Sequence, residues 1–202
     1  MTKTVTSIEP RKLPRQRRAA ATVDAVLEAS ARILEREGLP GFNTNEIARL
    51  AGVSIGSLYQ YFPTKEAILA EIVRRKRIRL WEGLSAELPH ADSQPLTVTI
   101  RRLVEATLDH QADNPGLARA LDYAYAALPL QGETEDLNAK IIQGIAGILP
   151  DDVIPDRITA ARDIVAIVRG MVDGATLAGS WRKQDLAPRI CRALEGYLGV
   201  CE

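Results

Sequence analysis

Cysteine, histidine and aromatic residues are scarce in this chain of 202 residues, and each shortage narrows what it can do. The two cysteines, Cys191 and Cys201, lie near the C-terminus without metal-ligand spacing, and His90 and His110 are far from them in sequence. No metal site is expected, and a reduced, cytoplasmic protein is the simplest reading. No apolar run approaches the roughly 18 residues that a membrane-spanning helix requires. The N-terminus is polar and basic but has no apolar segment of the kind that marks a signal peptide. Also missing are a nucleophile elbow, a phosphate-binding loop and an HExxH pair, so no catalytic residues, no cofactor and no enzymatic activity are expected. Aromatic residues make up 4% of the chain, too few to reveal a binding pocket by themselves. No alternating strand pattern appears at any point.

What is present is ordinary in bulk and uneven in distribution. Hydrophobic residues account for 46% and charged residues for 26%, a balance typical of globular proteins. The length admits one large domain or two small ones with a sizeable core. The formal net charge of zero conceals a split. Residues 1–79 carry 15 Lys and Arg against 8 Asp and Glu, a net of +7, and residues 80–202 carry 11 against 18, a net of −7. A basic N-terminal part joined to an acidic remainder suits a polyanion-binding module attached to a domain that avoids the polyanion.

Residues 1–14 contain Pro10 and Pro14 and no apolar period, which predicts an arm disordered in isolation. Arg15, Arg17 and Arg18 lead into a first helix with Val23, Val26, Leu27, Ile33 and Leu34 at three- and four-residue steps, ended by Gly38 as a left-handed cap. Short helices follow at about 44–51 and 55–62, the second stopped by Pro63. A long fourth helix, about 65–88, leads out of this unit. Proline- and glycine-containing breaks then predict helices near 95–112, 116–128, 133–149, 156–181 and 186–199. The expected fold is all-α, with a helix-turn-helix domain at 15–64 and a helical ligand-binding and dimerisation domain at 65–202.

The run Asn43 to Lys65, NTNEIARLAGVSIGSLYQYFPTK, carries the chemistry. Asn43 is an N-cap, with Glu46 three positions on in a capping-box pattern, which leaves the hydroxyl and N–H of Thr44 for a phosphate. Ile47 and Leu50 point inward, Ala48 allows close crossing, Gly52 supplies the turn and Ser54 caps the next helix. Leu58 and Phe62 bury its inner side. Gly56, Ser57, Tyr59, Gln60 and Tyr61 face outward. Serine and glutamine can bond base edges, while tyrosine hydroxyls can bond phosphates. Lys65 opens the fourth helix, where its ammonium favours a phosphate. Ile55 is either buried by its spacing to Leu58 or reaches the groove. The rival reading of Tyr59-x-Tyr61-Phe62 is plain core packing.

Thr44-x-x-Ile47-Ala48-x-x-Ala51-Gly52-Val53-Ser54-x-Gly56-Ser57-Leu58-Tyr59-x-Tyr61-Phe62-x-x-Lys65 resembles the signature of the TetR family of transcriptional regulators. The resemblance covers about 50 residues and implies a three-helix DNA-binding domain, a divergent helical ligand-binding domain, and homodimers on palindromic double-stranded operators. It implies phosphate contacts by Thr44, Tyr59, Tyr61 and Lys65, and groove-facing roles for Ile55, Gly56, Ser57 and Gln60. Asn43 stands where many members carry a second threonine. The arm with Arg15, Arg17 and Arg18 resembles those that reach the backbone or minor groove.

The last two predicted helices are the candidates for dimerisation. Val165, Val168 and Met171 belong to an apolar side, and Gly170, Gly174 and Ala178 form a row of small residues. Ile190, Leu194 and Tyr197 add the final helix to a four-helix interface. For an effector pocket the candidates are Trp81, Leu103, Thr107, His110, Tyr123, Met171 and Trp181, although for each taken singly ordinary core packing is the better reading. His110 is either a polar handle for a ligand or a surface or capping group. The leading expectation is a homodimeric repressor released from its operator by an unidentified small molecule. The alternative is a regulator controlled by a protein partner, or by no ligand.

Overall fold

The computed structural model describes residues 8–10, 17–112, 117, 121, 128–151, 154–179 and 182–200. Eight α-helices are delimited among these residues, and no strand. They are α1 (Arg17–Gly41), α2 (Thr44–Ala51), α3 (Ile55–Tyr61), α4 (Lys65–Glu87), α5 (Leu96–Ala112), α6 (Gln131–Ile148), α7 (Arg157–Leu177) and α8 (Lys183–Leu198), with a short 3-10 helix at Leu88–Ser93 after α4. The all-α expectation holds. The helix expected at 116–128 falls mostly outside the described residues; Leu117 and Leu121 are helical and buried.

The chain divides into two compact units. The first comprises Met1–Lys76 and Asn114–Leu130, the second Arg77–Asp113 and Gln131–Glu202, so the change of unit falls inside α4. Each has its own core. In the first, Val26, Ile33, Leu34, Ile47, Leu58, Phe62, Ile68 and Val73 are sealed from solvent. These residues recur at helical spacing on four consecutive helices, and each buried side chain of this size stabilises by about 1.5–3 kcal/mol. In the second, α5 packs on α8 and α7 packs on both α6 and α8, around Ile100, Val104, Leu108, Ile164, Leu186, Ile190 and Leu194.

Two glycines show why residue choice decides the local path. Gly38 does break α1, but not as the expected left-handed cap. Its φ of 63° and ψ of −163° lie in a region that essentially only glycine visits, and Leu39–Gly41 continue as a further turn beyond the kink. Gly144 of α6 lies against Leu88 and Trp81: a Cβ there would come within 2.8 Å of Leu88 Cδ1.

Candidate nucleic-acid interface

The stretch Asn43–Lys65 folds as its cap and turn residues dictate. Asn43 Oδ1 accepts the backbone N–H of Glu46 at 2.9 Å, closing the N-terminus of α2. The reciprocal arm of the capping box is diverted. Glu46 instead binds Arg49, from Nε at 2.9 Å and from the guanidinium terminus at 2.5 Å. That hydrogen bond holds the Glu46 carboxyl below its ordinary range and raises the Arg49 guanidinium. Gly52 ends α2 in the left-handed conformation, φ 67° and ψ 29°, and the N–H of Val53 returns to the carbonyl of Ala48 at 3.0 Å. Ser54 then caps α3 by accepting the N–H of Ser57 at 3.0 Å. Thr64 caps α4 in the same way through Ala67.

Packing separates an inner from an outer surface. Ile47, Leu58 and Phe62 have no exposed area, and Ala48 is almost as deep. Leu50 and Val53 are half-buried against the same core. On the outer side Ser54, Gly56 and Gln60 are exposed, with Ile55 at 39% and Tyr59 at 40%. The two open readings of Ile55 are thereby decided in favour of exposure. Ser57 is half-buried, its hydroxyl 2.8 Å from that of Ser54. Tyr61 also departs from a simple outward placement, because its ring packs partly against the first core. The hydroxyls of Thr44 and Tyr59 lie 3.0 Å apart, which brings together two candidate phosphate contacts from different helices. Lys65 is exposed at the start of α4. Arg17 and Arg18 begin α1, and Arg15 lies outside the described residues. Arg49, not singled out in the sequence, is an exposed cation on α2 one turn from the cap.

The basic run on α4 is largely occupied. Arg74 pairs with Glu9 at 2.6 Å and donates to the carbonyl of Ile8 at 3.2 Å, and Ile8 packs on the first core. Arg75 bridges Asp24 at 2.6 Å and Glu71 at 3.3 Å, and Arg77 donates to the hydroxyl of Thr134.

The expected pocket residues are scattered in role. Trp81, Leu103, Thr107, His110 and Met171 are all half-buried; Thr107 donates to the carbonyl of Leu103 at 2.9 Å, and Met171 packs on the second core. Tyr123 and Trp181 lie outside the described residues. An open cleft of about 420 Å³ is lined by Glu105, Arg182, Lys183, Gln184, Ala187 and Pro188, none of them among the expected pocket residues. Its two cations are paired, Arg182 with Asp185 and Lys183 with Asp109.

The expected dimer residues divide. Gly170, Gly174, Ala178 and Tyr197 are exposed, and Val165, Val168 and Met171 are half-buried. Ile190 and Leu194, at 0% and 1% exposure, lie in the core of the second unit, on the α8 face that packs on α5 and α7. Leu177 is 88% exposed and shares a face with Gly170 and Gly174, a partner that seven-residue spacing along that row would have found. Tyr197 donates its hydroxyl to Asp163 at 2.5 Å, tying α8 to α7, and this bond with the adjacent carboxylate raises the phenol pKa.

With this geometry established, two family matches cover most of the chain. Residues 26–72 match the description "Bacterial regulatory proteins, tetR family", and residues 95–198 match "Tetracyclin repressor-like, C-terminal domain". The chain belongs to the TetR family of transcriptional regulators. A helix-turn-helix transcriptional regulator of Mycobacterium tuberculosis is 28% identical over 140 residues, covering 69% of this chain and 67% of that protein. The regulator EthR of Mycolicibacterium smegmatis is 28% identical over 130 residues, covering 62% and 59%. Among solved structures, a TetR-family regulator from Mesorhizobium loti superimposes with a TM-score of 0.70 over 92% of this chain and 98% of its own, at 17% identity. A transcriptional regulator from Rhodococcus gives 0.69 over 88% and 96% at 21% identity. At such identities the structures establish the fold.

The family's helix-turn-helix DNA-binding domain falls in the first matched region, which contains α2 and α3. The family consists of DNA-binding regulators and not enzymes. No described helix is long and apolar enough to cross a membrane.

Proposed function

We propose that this TetR-family regulator is a cytoplasmic, homodimeric repressor that leaves a palindromic operator when a small molecule binds the helical domain that follows the helix-turn-helix. The observation that carries the DNA-reading part is the exposed α3 row Ile55, Gly56 and Gln60 beside the Thr44–Tyr59 hydroxyl pair. Gln60 and Ser57 offer hydrogen bonds to base edges, Gly56 permits close approach, and Ile55 offers an apolar contact to a thymine methyl. Thr44, Tyr59, Tyr61 and Lys65 supply hydroxyls and a cation for phosphates, with Arg15, Arg17 and Arg18 in the adjoining basic segment. The +7 charge of residues 1–79 favours a polyanion throughout.

Dimerisation would use the outer face of α7 and α8, where Gly170, Gly174 and Ala178 allow close helix approach and Leu177 awaits cover. A two-fold dimer presents two copies of α3 to half-sites about one helical turn apart or a multiple of it. An effector that alters their separation, with a coupling of about 1–3 kcal/mol, changes operator affinity roughly 5–150-fold. Trp81, Leu103, Thr107, His110, Tyr123, Met171 and Trp181 remain the candidates to line its pocket.

The test is binding of the purified protein to a randomised duplex library, followed by titration of the enriched duplex across a salt series. Two protomers per enriched site and a steep negative log–log salt dependence support the reading. One protomer per site, or no enrichment, contradicts it. Native mass spectrometry of the protein as purified checks the effector: a co-purifying small molecule whose removal tightens DNA binding supports ligand control, and a metabolite-independent affinity favours control by a protein partner or by none.

A further inference from the structure

The short stretch Ile8–Glu9–Pro10 ahead of α1 is held in the first unit by two contacts of different chemistry. Ile8 is half-buried and packs on the first core. The Arg74 guanidinium of α4 spans the backbone beside it, one nitrogen donating to the Ile8 carbonyl at 3.2 Å and another to the Glu9 carboxylate at 2.6 Å. Only 16% of the Arg74 side chain is exposed, so its charge is largely withdrawn from water and needs such acceptors. A surface ion pair by itself contributes little, but here an apolar contact and a backbone hydrogen bond add to it. Pro10 biases Glu9 toward extended backbone, which lowers the conformational cost of the grip. The anchor is firm: Ala70 and Val73, beside Arg74 on α4, have no exposed area, and Arg75 ties α4 to Asp24 of α1 at 2.6 Å.

Chain length turns this grip into a constraint on charge. Residues 11–16 join Pro10 to Arg17, the start of α1, and include Arg11, Lys12 and Arg15 but no acidic residue. Tethered only at α1, Arg11 could lie about 22 Å from Arg17 and Lys12 about 18 Å, at about 3.6 Å per residue. Tethered at Pro10 as well, the same two residues lie within about 4 Å and 7 Å of that anchor. Arg15, close to α1 in either case, is little affected. The latch therefore confines Arg11 and Lys12, and it removes part of the entropy that a free tail would lose on meeting a duplex.

We propose that Arg74 is a positioning residue for DNA binding: with Ile8 and Glu9 it latches the chain ahead of α1 onto α4 and so holds Arg11 and Lys12 for the phosphate backbone. This rests on the reading of the basic segment before α1 as a DNA contact.

The test is titration of the full-length protein on an enriched duplex across a salt series. Wild type is compared with Ile8→Ser, Ile8→Val, Glu9→Ala, Arg74→Ala and the double variant Arg11→Gln/Lys12→Gln. Ile8→Ser should weaken binding roughly fivefold, the equivalent of ordering one more backbone residue. Its log–log salt slope should shrink by about one to two, as the loss of one or two phosphate contacts requires. A merely unfolded fraction would lower the active concentration and leave the slope unchanged. Ile8→Val keeps the apolar contact and should behave as wild type. Glu9→Ala should also weaken binding, although removing a negative charge from a polyanion-binding unit would by itself tighten it. Placed in the double variant, Ile8→Ser and Arg74→Ala should each add nothing.

An Ile8→Ser or Glu9→Ala protein that binds as tightly as wild type, or more tightly, overturns the proposal. So does an Arg74→Ala substitution that still weakens binding in the double variant, since Arg74 would then meet the duplex itself. A double variant with wild-type affinity and slope refutes the basic segment as a DNA contact. A weakened double variant beside silent Ile8 and Glu9 substitutions refutes the latch alone.

Discussion

Replacing Gly52 by alanine separates the conformational cost of the turn from every packing effect. At φ 67° and ψ 29° Gly52 occupies the left-handed region, and a Cβ placed there meets nothing within 4 Å. The substitution therefore creates no clash and removes no contact; what changes is backbone strain. An L-residue in this conformation costs about 1–2 kcal/mol. Alanine also stiffens the unfolded chain relative to glycine, which returns about 0.4–1 kcal/mol. The net loss should be about 1 kcal/mol, a several-fold change in the folded-to-unfolded ratio. Asparagine tolerates the left-handed region better, so Gly52→Asn should lose about half as much or less. Tryptophan fluorescence is the wrong probe, because the sequence of the first unit contains no tryptophan. Hydrogen exchange of α2 and α3 amides, beside urea unfolding followed by circular dichroism, reports on the right segment. DNA affinity of the folded fraction should be unchanged. An alanine variant as stable as wild type, or a more destabilised asparagine variant, would refute the left-handed turn as the source of the effect.

Other perturbations follow from the same contacts. Asn43→Ala should destabilise the first unit by about 1 kcal/mol while Asn43→Asp retains the cap, measurable by urea denaturation. Leu58→Ala, at a site with no exposed area, should cost about 2–5 kcal/mol and abolish DNA binding through loss of the folded unit, seen as a fall in the unfolding midpoint. Leu177→Glu should dissociate a dimer without lowering protomer stability, whereas Leu194→Ala should lower stability first; sedimentation equilibrium and thermal melting distinguish them. Asp156 caps α7 by accepting the N–H of Thr159 at 3.0 Å, and that bond, assisted by Arg162, lowers its pKa. Its folded pKa is thus below the unfolded one, so its contribution is present above the ordinary carboxylate range and lost as pH falls through the lowered value. Asp156→Asn should flatten that segment of the stability–pH curve.

Much of the first unit was legible because its signals are local. Asn43, Gly52 and Ser54 act on backbone within three or four residues of themselves, and Ile47, Leu58 and Phe62 declare their faces by spacing. What escaped depended on partners remote in sequence or on competition between near ones. Glu46 stands at the capping-box position, yet its carboxylate is held by Arg49. The Arg74 contacts to Ile8 and Glu9 span more than sixty residues, and no local pattern announces them. Ile190 and Leu194 show the limit of periodicity: an apolar stripe reports that a face is buried, but not whether its cover is the same chain or another. Leu177 was missed for the opposite reason, since a single leucine in a row of glycine and alanine leaves little apolar pattern.

The central claim is that the exposed face of α3 chooses the DNA sequence. Selection from random duplexes by the wild-type and Gln60→Ala proteins tests it most directly. A two-fold symmetric site should be enriched by the wild type, and Gln60→Ala should relax base preference at one symmetry-related pair of positions while the rest of the site persists. Identical preferences from the two proteins would remove Gln60 from the reading surface, and failure of the wild type to enrich any site would contradict the claim.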